Sequence, residues 1–176
     1  MTLGKKTAPP RPAKASAPAR PQRRTQAERR QTTQDKLVQG AIQLLKAKRY
    51  AGFRTAEVAA VAGVSRGAQT HHFATKDDLV LLALEEVYRD TGERSRQRIA
   101  GARQTREGLL HALVEDSAEF FLGDDFLLSL DLVMVGGNSA LGASVRKLAQ
   151  RYRFAVEEDW RQALLAVGWS RPRPRT

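Results

Sequence analysis

From Thr33 onward, apolar side chains recur at spacings of three and four. Leu37, Val38, Ala41, Ile42, Leu44 and Leu45 alternate with Lys36, Gln39 and Gln43. That period predicts an amphipathic helix with one buried stripe. Thr33 is its expected N-cap, and the helix is expected to end near Lys48, where Arg49-Tyr50-Ala51-Gly52-Phe53 turns the chain. Thr55 is placed to cap a second helix carrying Val58, Ala59, Val61 and Ala62, with Glu57 one position short of a capping box. Gly63 suits a left-handed residue at a helix end. Ser65 then caps a short third helix reaching about Phe73, and Lys76-Asp77-Asp78 opens a longer fourth. Its first-turn carboxylates favour the positive end of the helix dipole, and Leu79, Leu82, Ala83, Val87 and Ile99 form its expected buried stripe. Three more helices follow at about 105–122, 124–136 and 140–168, the last two separated by Gly136-Gly137-Asn138-Ser139. No run alternates with period two, so the chain reads as all-α.

Composition narrows the chemistry. The 176 residues include no Cys, which excludes a disulfide scaffold, a cysteine-ligated zinc site and a thiol nucleophile. No apolar run reaches the ~18 residues of a membrane span, and the start lacks a secretory leader, so a cytoplasmic protein is expected. The net charge of +11 is uneven. Residues 1–30 hold nine Lys/Arg against Glu28 alone, and Arg171, Arg173 and Arg175 make the C-terminus basic. Between these tails the charges balance, yet 46–76 carry six basic residues against Glu57 while 77–170 carry 11 basic against 16 acidic. A small basic unit is joined to an acidic one, and the local patch is the better pointer to a polyanion. Residues 1–30 contain five of the seven prolines, and with so little to bury they read as a disordered basic Pro/Ala/Arg-rich arm.

The segment Thr55–Phe73 (TAEVAAVAGVSRGAQTHHF) carries the candidate chemistry. Two short helices meet at Gly63-Val64-Ser65. Ala59 lets them approach, and Val58, Ala62 and Val64 can lock them together. This is the build of a helix-turn-helix unit, whose second helix enters the DNA major groove. That second helix presents Ser65, Arg66, Gln69, Thr70, His71 and His72, donors and acceptors suited to phosphates and base edges. Gly67 and Ala68 leave room for close backbone approach.

Residues 31–91 resemble the DNA-binding domain of the TetR family of bacterial transcriptional regulators. The likeness runs through Ala41 and Leu44-Leu45, Tyr50…Phe53-Arg54-Thr55, Val58-Ala59…Ala62-Gly63-Val64-Ser65, Gly67…His71-His72-Phe73 and Lys76-Asp77-Asp78-Leu79. The resemblance implies a three-helix DNA-binding domain followed by a helical ligand-binding domain over 92–170. It implies a phosphate contact at Thr55, base or nearby backbone contacts from Ser65, Arg66, Gly67 and Ala68, and phosphate contacts from Thr70, His71, His72 and Lys76. Gln69 and Thr70 depart from the apolar residue and the Tyr common there, which puts the packing of the third helix and the reach of one phosphate contact in question. Family members close a dimer with two further helices, which the short basic ending at 171–176 does not supply. The resemblance therefore implies a ligand-responsive repressor acting on double-stranded operator DNA, with a homodimer expected whose usual interface helices are missing. The alternatives are non-specific nucleic-acid binding by the basic arm, or a truncated, non-assembling member.

Other clusters are weaker. His71-His72 with His111 lack the spacing of a metal site, since adjacent helical positions point about 100° apart, and no cofactor is expected. Glu85-Glu86, Glu115-Asp116 with Glu119, and Glu157-Glu158-Asp159 have no nucleophile at useful spacing, so they read as solvated helix faces rather than acid/base pairs, and no enzyme is expected. Tyr88, Phe120, Phe121, Met134, Tyr152 and Trp160 are candidate walls of a ligand cavity, against plain core packing for any single one.

Overall fold

The computed structural model of the chain describes residues 25–169. Over that span it is helical, with no strand among the described residues. The helices are α1 (Gln26–Gly52), α2 (Thr55–Val61), α3 (Arg66–His72), α4 (Lys76–Gly101), α5 (Arg106–Phe121), α6 (Asp124–Gly136) and α7 (Ala140–Ala166). None of them is long and apolar enough to cross a membrane.

The start of α1 corrects the expected cap at Thr33. Thr25 accepts from the Glu28 amide at 3.2 Å, and the Glu28 carboxylate accepts from the Thr25 amide at 2.8 Å. This reciprocal box satisfies two amides that the first turn leaves free. The hydroxyls of Thr32 and Thr33 instead donate to the carbonyls of Glu28 and Arg29, as such residues do inside a helix. Residues 26–30, expected to belong to the arm, are therefore helical; the rest of the arm, 1–24, and the basic ending, 170–176, lie outside the described residues. A second correction concerns α2. Its N-cap is Arg54, with no side-chain capping bond, and Thr55 is the first helical residue.

The turn between α2 and α3 depends on Gly63 at φ +65°, where a side chain would be strained. The Val64 amide closes the turn on the Ala59 carbonyl at 3.0 Å. Gly40 of α1 lets α2 come close: a Cβ there would sit 3.4 Å from the Val58 carbonyl oxygen and 3.5 Å from the Ala62 Cβ.

One continuous core runs from Leu37 and Leu45 on α1 through Phe53, Val58 and Phe73 to Leu79 and Leu84 on α4, Leu128 and Leu132 on α6, and Val145 on α7. Each fully buried Leu or Phe contributes about 2 kcal/mol of apolar transfer. A smaller cluster of Leu109, Ala112, Val156 and Trp160 joins α5 to α7. Helices α6 and α7 meet at a glycine contact, where a Cβ on Gly142 would fall 2.3 Å from the Gly137 carbonyl oxygen.

Candidate nucleic-acid interface and the cavity behind it

The seven residues of α3 divide by exposure. Arg66, Gly67, Thr70 and His71 are exposed, and positions 0, 1, 4 and 5 of a helix share one side. Ala68 and His72 are half-buried, and Gln69 is buried at 8% with Phe73 on the inner side. Gln69 thus takes the apolar place with its methylene stem. Ser65 caps α3 through a bond from the Ala68 amide at 3.1 Å. The Thr70 hydroxyl donates to the Arg66 carbonyl at 2.9 Å, which leaves its lone pairs outward. Nothing lies within 4 Å of a Cβ on Gly67 except the Ser65 hydroxyl at 4.0 Å, so the helix surface there is open. No acidic residue lies between Glu57 and Asp77, and Glu57 is already paired with Lys48 at 2.6 Å. Burial, then Arg30 and His71, hold the His72 imidazole below the usual histidine range.

The start of α4 is tied to the end of α1. Thr75 and Asp78 form a capping box. Lys76 donates to the Tyr50 carbonyl at 3.0 Å, and its ammonium lies 3.7 Å from the centre of the Tyr50 ring. Burial and the neighbouring Arg54 hold its pKa below that of a free lysine. The Tyr50 hydroxyl donates to Asp77 at 2.8 Å, and burial with that bond pushes the phenol to about 12. The Tyr50 amide donates to Asp131 of α6, also at 2.8 Å. Two ion pairs also join α1 to α6, Lys46–Asp125 at 2.5 Å and Arg49–Asp124 at 3.9 Å.

The expected cavity residues are scattered. Phe121 and Trp160 line a cavity of about 850 Å³ between α5 and α7, with Val156, Leu164, Trp169 and Arg153. Arg153 lies 3.8 Å over the Phe120 ring, and its buried Nη1 has no hydrogen-bond partner among the described residues. Burial lowers its pKa. Phe120 belongs to the main core, and Tyr88 and Tyr152 stack at 6.3 Å. Tyr88 is hydrogen-bonded to Ser129, and Tyr152 donates to Glu85 at 2.6 Å. Met134 is 73% exposed and stands outside the cavity.

One acidic residue departs from the expected solvated face. Asp116 is 7% exposed and accepts from Ser95 Oγ at 2.8 and 2.9 Å, Arg98 Nη1 at 3.0 Å and Trp160 Nε1 at 3.1 Å. The correction has a plain cause. The indole N–H and the Ser95 hydroxyl, both buried, need an acceptor, and a carboxylate can serve several donors at once. Ser95 lies 21 positions from Asp116 and Trp160 lies 44, so no local spacing announces the cluster. Gly40 and Asp131 likewise meet partners distant in sequence.

A capped three-residue turn, a short outward polar helix and a basic surface together define a helix-turn-helix DNA-binding protein. Residues 37–83 match the model for "Bacterial regulatory proteins, tetR family". The chain is 46% identical over 152 residues to the HTH-type transcriptional regulator CymR of Pseudomonas putida, covering 86% of this chain and 74% of that protein. It therefore belongs to the TetR family and is a DNA-binding transcriptional regulator. A crystal structure of the multidrug binding protein EbrR complexed with malachite green is also similar, at 23% identity and a TM-score of 0.48, over 77% of this chain and 87% of that one.

Proposed function

We propose that the chain is a ligand-responsive repressor that reads operator DNA in the bacterial cytoplasm with α3. Residues 31–91 form the reading unit and 92–170 the regulatory unit. The observation that carries this is the outward side of α3: Arg66, Gly67, Thr70 and His71 lie together on an exposed surface free of acids. Arg66 reads a base edge, and Gly67 and Ala68 allow the backbone to approach. Ser65 faces bases or the nearby backbone, and Thr55, Thr70, His71, His72 and Lys76 serve the phosphates on either side. Reading two half-sites requires two copies of the chain.

The effector site is the cavity between α5 and α7. Its volume falls within the roughly 300–1,000 Å³ of small-molecule sites, and its walls suit a largely apolar body. Occupancy represses or releases the operator only through a difference in affinity for the two conformers.

Selection of bound fragments from genomic DNA by the purified chain tests the reading. The expected result is one palindromic site. Arg66→Ala then relaxes discrimination at one base position, and Lys76→Ala weakens all sequences and flattens the salt slope by about one unit. Fragments recovered without sequence preference would refute it.

A further inference from the structure

The backbone at Arg49 is the one positive φ outside glycine among the described residues. At φ 56° and ψ 177° it interrupts α1 one turn before its end. That conformation is nearly restricted to glycine, and a residue with a Cβ holds it only where its surroundings impose it, at about 1–3 kcal/mol. In an unbroken helix the Tyr50 amide would donate to the Lys46 carbonyl. Here it donates to Asp131 of α6, 81 positions away, at 2.8 Å.

The consequences meet at Tyr50. Its carbonyl receives Lys76, its ring faces the Lys76 ammonium, and its hydroxyl reaches Asp77. Lys76 and Asp77 form the first turn of α4, directly after α3 and the short link Ala74-Thr75. The turned backbone at Arg49 therefore sets where Tyr50 stands, and Tyr50 sets where α4 begins.

Taking α3 as the DNA-reading helix, we infer that Asp131 is a positioning residue for DNA binding: its carboxylate holds the Arg49–Tyr50 backbone out of helical form and so fixes the junction of α1 with α4. It touches no DNA. Without it the amide returns to the Lys46 carbonyl, Arg49 relaxes into the helical region, and Tyr50 swings away from Lys76. That edge then keeps its apolar core and the Lys46–Asp125 pair but loses the Tyr50 link.

The test uses the full chain with three substitutions, alone and combined. Asp131→Ala removes the acceptor. Arg49→Gly accepts the turned backbone without strain, so it needs no carboxylate to hold it. Arg49→Ala removes the same charge but keeps a Cβ, and so keeps the strain. Two readouts are taken: affinity for the fragment selected by the parent protein, and the Arg49 Cα chemical shift, which reports its backbone conformation without DNA. Asp131→Ala is expected to lower affinity about tenfold and to move the Arg49 shift toward helical values. Arg49→Gly with Asp131→Ala is expected to restore affinity to within twofold, while Arg49→Ala with Asp131→Ala is not. Unchanged affinity with an unchanged Arg49 shift in Asp131→Ala overturns the inference. So does rescue by Ala as good as rescue by Gly, because charge rather than backbone would then be responsible. If the parent selects no fragment, the DNA-reading proposal fails, while the Arg49 shift still decides whether Asp131 sets the junction. If Asp131→Ala does not fold, the double substitution with Arg49→Gly carries the affinity measurement, with the Tyr50 amide shift as the backbone readout, and its failure to bind overturns the inference.

Discussion

Replacing Asp116 with Ala removes an acceptor that Ser95, Arg98 and Trp160 share. Ser95 and Trp160 are 3% and 4% exposed, so water replaces the lost partner poorly. Each orphaned buried donor costs about 1–3 kcal/mol. Arg98 keeps its partner Glu119 and part of its hydration, since its side chain is 27% exposed, so its loss is heavily discounted. The sum is about 3 kcal/mol, at the lower edge of what removing one member of a buried charged pair costs. For a chain of this size that lowers the melting temperature by roughly 6–12 °C. Asp116→Asn keeps one carbonyl acceptor but turns an amide group toward donors, and should lose about half as much. Urea and thermal unfolding followed by circular dichroism measure both variants. A loss under about 1 kcal/mol for Ala, or equal losses for Ala and Asn, would refute the claim that these hydrogen bonds hold α5 against α4 and α7. A solvated carboxylate would give a change within about 0.5 kcal/mol.

Other outcomes follow from single contacts. Gln69→Leu fills an apolar place with an apolar side chain, and should raise stability by up to about 1 kcal/mol in urea unfolding while leaving sequence preference intact. Burial holds the His72 imidazole below the usual histidine range, and phosphate contact favours its charged form. Affinity for the selected fragment should therefore rise as pH falls below the usual histidine range, and His72→Gln should flatten that rise in a pH-titrated shift assay. Folding stability moves the opposite way: a depressed histidine contributes stability above its unfolded pKa and loses it as pH falls. Gly142→Ala drives a Cβ to 2.3 Å from a backbone carbonyl oxygen, and a loss of at least about 3 kcal/mol in the same unfolding assay is expected.

The helices from α2 to α7 were legible because their signals are local. The turn residue Gly63, the cap at Ser65 and the apolar period of α4 to α7 need only neighbours in sequence. The outward side of α3 was legible for the same reason. The start of α1 was misread because Thr33 and Thr25 are equally good caps by type, and only Thr25 has Glu28 at the reciprocal position. Asp116 read as surface because its flanking acids, Glu115 and Glu119, are exposed. Its partners come from α4 and α7, which sequence periodicity does not align. The Arg49–Tyr50–Asp131 link was invisible because nothing in the run KAKRYAGF marks a left-handed arginine.

The uninterrupted interior described above bears on how such a molecule can be taken apart. Leu128, Leu132 and Val145 bring α6 and α7 into the same core as α1 and α4. A fragment cut after α4 would bare that surface to water and should melt or aggregate rather than bind. Grafting the recognition segment onto another scaffold would accordingly require carrying its backing from α1 with it.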